Sequence, residues 1–78
     1  MPTVMERPTV PAAVRLLPVG AGLWRVLDDA GRAIGHLAAR EDDARFAALR
    51  FHAGSARFRE VGSFWSAAEA VECLRLSR

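Results

Sequence analysis

The chain has a single cysteine, Cys73, and no lysine or tyrosine. One thiol cannot close an intrachain disulfide, so no covalent staple holds the fold, and a reducing cytoplasm suits it. A structural zinc site needs about four Cys or His ligands. Cys73, His36 and His52 are too few and show no paired spacing. No apolar run reaches the roughly 18 residues of a membrane span. The first residues carry Glu6, Pro8 and Pro11 and lack the apolar core of a secretory signal. The expected protein is cytoplasmic, with no membrane contact. No nucleophile elbow or similar setting gathers Ser, His and Asp into a triad. No catalytic residue, metal or cofactor is therefore expected.

The 78 residues hold 11 cations, all arginine, and nine acidic groups, for a net charge of +2. Codons rich in G and C explain arginine and the many alanines together. Selection for forked donors that grip phosphate or carboxylate is the functional alternative. Glu41-Asp42-Asp43 is an acidic cluster in mid-chain, and so balanced a field gives little steering toward nucleic acid. A chain of this size buries only roughly 60–65% of its unfolded surface. Its core is expected to rest on Trp24, Val26, Leu27, Ile34, Leu37, Phe46, Leu49, Phe51, Phe58, Val61, Phe64, Val71 and Leu74. So thin a core leaves stability modest, or assisted by self-association.

The strongest local signal is Val61 to Val71, a strand running into a helix. Ser66 is a good N-cap, and Glu69 three residues on completes an S-x-x-E capping box. In that box the Ser66 hydroxyl accepts from the Glu69 N–H, and the Glu69 carboxylate reaches back to the Ser66 N–H. Ala67, Ala70, Val71 and Leu74 form one apolar stripe of helical period. The spacing predicts a helix from about Ala67 to Leu76. A helix this short is marginal alone in water and needs a surface to lie on.

The rest reads as strands. Residues 1–13 hold three prolines and no period, which predicts a flexible tail, with one small domain over 14–78. Val14 to Leu17 suits a short edge strand stopped by Pro18. Gly20 and Gly22 mark a bend but precede no helix, so they lack the dipole of a phosphate loop. Leu23 to Leu27 is a strand, Asp28 to Gly31 a turn that uses a left-handed Gly31, and Ala33 to Ala39 the returning strand. Gly35 inside it signals a bulge or a close backbone approach. Arg40 to Asp43 is a polar connection. Arg45 to Phe51 is the third strand, with a short helix as the alternative, and Arg57 to Val61 is the fourth. The expected fold class is α+β: an antiparallel sheet of three or four strands with one C-terminal helix packed on one face.

Two registers are open for the last hairpin. One pairs Phe51 with Ala56, Arg50 with Arg57 and Leu49 with Phe58. It puts Leu49, Phe51 and Phe58 on one face and Arg50, Arg57 and Arg59 on the other. The second pairs Phe51 with Arg57 and Ala48 with Glu60. It mixes the arginines among the apolar residues, so the first is preferred.

Gly62-x-Phe64-x-Ser66-x-x-Glu69-Ala70, preceded by Val61, resembles the strand-to-helix junction of the plant ethylene-response-factor DNA-binding domain. It is also similar to the arm-binding domain of phage-type integrases. The resemblance covers about ten residues. It implies a three-stranded antiparallel sheet that enters the major groove, with the helix packed behind. Phe64 would bridge sheet and helix, and Ala70 would be the small residue at their contact. Phe58-Arg59-Glu60-Val61 matches the stretch that touches DNA in those families.

Function then divides in two. One reading is a small non-enzymatic interaction module, acting on an unidentified protein partner or as a homodimer. Trp65, at the position before the N-cap, suits either a hydrophobic staple to Ala70 or an exposed partner-facing anchor. The alternative is weak nucleic-acid binding through Arg50, Arg57 and Arg59.

Overall fold

A computed structural model describes residues 9–40 and 44–76. Five strands form one antiparallel meander in chain order: β1 (Arg15–Gly20), β2 (Leu23–Leu27), β3 (Ala33–Ala39), β4 (Phe46–His52) and β5 (Arg57–Phe64). One helix follows, α1 (Ala67–Leu76), and packs on β3, β4 and β5. The class is therefore α+β, with five strands where the sequence reading expected three or four. The extra strand is β1, which runs through Pro18 rather than ending there. Proline is tolerated because β1 is an edge strand, and the register with β2 shifts directly after Pro18.

Local chemistry explains the connections. In the β2–β3 turn the Asp28 carboxylate accepts from the Ala30 N–H at 2.9 Å and the Arg32 N–H at 2.8 Å. Gly31 takes the left-handed conformation there, with φ at 82°. At the helix start the Glu69 N–H donates to Ser66 Oγ at 3.1 Å, half of the capping box. In the other half the Glu69 carboxylate takes the Ser66 hydroxyl at 3.3 Å, not the Ser66 N–H the sequence suggested.

Val26, Leu37, Ala48, Ala70, Val71 and Leu74 are fully buried, and Trp24 and Leu16 nearly so. Val10 and Val14, ahead of β1, join the same cluster. The expected flexible tail thus meets the core at its C-terminal end; residues 1–8 of it lie outside the described residues, as does the acidic cluster 41–43.

The inward face holds a correction. Phe51, Phe58 and Val61, expected in the core, are 52%, 44% and 43% exposed. On the helix side the central positions of β3, β4 and β5 are Gly35, Ala48 and Gly62, which leave room for a closely packed helix. The Phe64 ring folds back over Gly62, where a Cβ would stand 2.6 Å from it. Leu49, Phe51 and Phe58 consequently face the other way, while Phe46 and Phe64 stay on the helix side at the far end of the strands.

Two stabilities follow. Ser66→Ala should cost about 1 kcal/mol through loss of the cap. Phe64 is only half-buried, so Phe64→Ala should cost about 2 kcal/mol, below the range for a fully buried ring. Urea denaturation of the two variants checks the order; equal midpoints would refute the position given to Phe64.

Candidate functional site

The β4–β5 hairpin adopts neither expected register. His52 pairs with Arg57, Phe51 with Phe58, Arg50 with Arg59 and Leu49 with Glu60. This lies two residues beyond the preferred register, so the sorting of faces survives and the partners change. A bulge between Ala48 and Leu49 absorbs Val61. Four residues, Ala53 to Ala56, turn the chain, with Ala56 at a φ of 53° and the Ser55 N–H bound to His52 Nδ1 at 3.2 Å.

β3 and β4 stay paired only as far as His36 and Leu49. Beyond that point the β4–β5 hairpin continues alone as an arm, and every residue from Phe51 to Val61 is exposed. Arg50, Arg57 and Arg59 share the helix side of this arm. Arg50 turns back to the helix: Nη2 donates to the Leu74 carbonyl at 2.8 Å. That carbonyl lies in the last turn of α1, where carbonyls lack helical partners and a cation meets the negative end of the dipole. The arginine expected at a nucleic-acid face therefore has a structural duty, while Arg57 and Arg59 stay on the exposed arm.

The opposite, open face of the sheet carries a cross-strand row, Leu17–Arg25–His36–Leu49–Glu60. Beyond it on the arm sits the pair Phe51–Phe58. Phe58 stacks on the His36 ring at 4.0 Å between centroids and meets Phe51 edge-on at 5.4 Å. The sequence reading placed His36 in no site. It is instead half-buried in an aromatic cluster, a contact made across two strands and invisible to local spacing.

A groove of about 470 Å³ lies between this arm and the β2–β3 turn. Arg25, Arg32, His36, Phe51 and Phe58 line it, with Asp28 on one bank. Burial holds His36 below its ordinary value of 6.5, and the charge of Arg25 adds to that. The Arg32 N–H chiefly holds Asp28 below 3.8, helped by the Ala30 N–H and the Arg32 guanidinium and opposed by burial. Arg32 Nε stands 3.3 Å from the second Asp28 oxygen, so that carboxylate is already engaged. Among the described residues Arg25 makes no ion pair.

These shifts set a pH dependence. A histidine whose folded pKa is lowered contributes stability that is complete above its unfolded pKa, near 6.5. That contribution is lost as pH falls through the folded value. The urea midpoint of the wild type should drop on acidification from about pH 8 to about pH 5. In His36→Gln the part of that drop due to His36 should vanish. A constant gap between the two proteins across that range would remove His36 from the cluster.

Trp65 is 65% exposed, and the Arg45 guanidinium lies over its ring at 4.2 Å. Of the two uses open to it, a staple to Ala70 leaves most of its surface in water. Among the described residues no group of three or more His, Cys, Asp or Glu side chains could hold a metal ion, and no helix is long and apolar enough to cross a membrane. No protein-family model matches the chain, and neither a curated protein nor a solved structure is significantly similar to it.

Proposed function

We propose that this protein is a small interaction module without catalytic activity, working through self-association or contact with another protein. One observation carries the reading. Among the exposed large apolar side chains, Phe51, Phe58, Val61 and Trp65 gather on one stretch of chain, the β4–β5 arm and the entry to α1, while Leu17 and Val19 lie on β1 and Leu76 ends the helix. Surface apolar residues scattered singly need no explanation, whereas a contiguous set marks a contact surface. β5 is also a free sheet edge of eight residues without proline, open to pairing apart from the charges of Arg57, Arg59 and Glu60.

Light scattering coupled to gel filtration over a wide concentration range tests this. The apparent mass should rise with concentration. Trp65→Ala should weaken association about tenfold, the size of a modest hot spot. A strict monomer at every concentration, with no partner captured from the native cell, would overturn the proposal. The second reading, nucleic-acid binding, is supported by the placement of Arg57 and Arg59 on one side of an exposed arm, the side that Arg50 shares at its base. It predicts an affinity that falls steeply with salt.

A further inference from the structure

We infer that the groove between the β2–β3 turn and the β4–β5 arm binds single-stranded nucleic acid, stacking a base on Phe51 and Phe58 and taking a neighbouring phosphate at Arg25. The inference rests on the nucleic-acid reading and moves it to a groove that Arg50 also lines but Arg57 and Arg59 do not.

The first ground is the aromatic ledge. Phe51 and Phe58 remain half in water although each is a large apolar ring. His36 backs Phe58 with a nearly parallel ring, 14° between planes. That contact fixes the Phe58 ring before any ligand arrives, which lowers the ordering cost of stacking a base against the ledge. Every base has a flat π face, so such a ledge accepts bases without regard to sequence.

The second ground is charge. Arg25 stands beside His36 in the cross-strand row and has no counter-ion among the described residues. The one carboxylate on the groove bank among the described residues, Asp28, has its oxygens engaged by two backbone N–H groups and by Arg32. Burial chiefly holds the His36 pKa down, and a further part of the lowering comes from the positive charge of Arg25. An anion seated at Arg25 would relieve it.

The third ground is size and access. A groove of about 470 Å³ is in the range that holds one small ring system with its polar attachment. The bases of a duplex are already stacked on one another, and their faces cannot reach a ledge at the side of a sheet. A single strand presents them freely.

The test uses the full chain and a fluorescent oligouridylate of about 8 nucleotides, near the site size of small single-strand binders. Anisotropy titration at low salt should show saturable binding that weakens as salt rises. Phe58→Ala should lose about tenfold in affinity, and Arg25→Ser about fivefold with a shallower salt slope. Both side chains face solvent, and circular dichroism confirms that each variant folds. Proton NMR should show the His36 pKa rising when the strand binds, because the phosphate cancels the field of Arg25. No binding at low salt overturns the inference. So does equal binding of an oligoglutamate of similar charge, which has no rings to stack. UMP binding as tightly as the oligomer overturns the strand and leaves a nucleotide pocket. If Arg57→Ser with Arg59→Ser abolishes binding while Phe58→Ala and Arg25→Ser leave it intact, the nucleic-acid reading stands and this groove is refuted.

Discussion

Replacing Leu74 with alanine should remove about 4 kcal/mol of stability, in the upper part of the range for a buried leucine. Leu74 has no exposed surface and ends the apolar stripe of α1. Its δ carbons lie over Gly35 on β3, where a Cβ would meet them, so it locks the last turn of the helix to the sheet. Little can collapse into the space it would leave, because the neighbouring position on β3 has no side chain. The same turn offers its Leu74 carbonyl to Arg50. A helix end loosened by the truncation would also release that bond. A domain of this length is stable by only about 4–12 kcal/mol. Leu74→Ala should therefore remove about a third or more of that stability and lower the urea midpoint in proportion. A midpoint lowered only as far as that of Ser66→Ala would show that α1 does not lie where the structure places it.

Gly35→Ala should be nearly as damaging, at about 3 kcal/mol, although it adds a single methyl group. A Cβ at Gly35 would stand 2.5 Å from the Leu49 carbonyl oxygen and 2.8 and 3.0 Å from the two Leu74 δ carbons. The backbone φ of 157° adds a conformation that side chains rarely adopt. The two clashes differ in kind. The Leu74 methyls can be removed by truncation, but the Leu49 carbonyl belongs to β4 and moves only if the strand moves. The double variant Gly35→Ala, Leu74→Ala should accordingly lose less than the sum of the two, by on the order of 1 kcal/mol, yet stay below Leu74→Ala alone. Denaturation of all four proteins checks this. Strict additivity would mean that position 35 and Leu74 do not touch.

The helix was fully legible. Ser66, Glu69 and the stripe Ala67, Ala70, Val71, Leu74 mark α1 with the bounds it has, because caps and periodicity are local signals. The turn at Asp28–Gly31 was legible for the same reason: a carboxylate reaching its own backbone acts over a few residues. The candidate sites were read less completely. Arg50, Arg57 and Arg59 do share a side, as strand alternation implied, but nothing near Arg50 in sequence foretold the Leu74 carbonyl that engages it. The cluster of His36, Phe58 and Phe51 went unread because its members meet through pairing of three strands.

By itself, then, the order of residues determined the two strands around the Asp28–Gly31 turn, that turn, and where the one helix of the described residues starts and stops. Those outcomes follow from interactions within a few positions of each other. Only tertiary structure decided which side of the sheet the helix covers. Hydrophobicity pointed to the side of Leu49, Phe51 and Phe58, but a helix that must approach closely needs Gly35, Ala48 and Gly62 beneath it. That choice depends on the fit of two surfaces distant in sequence. It left the aromatic rings and Arg25 on the open face, where a partner can reach them.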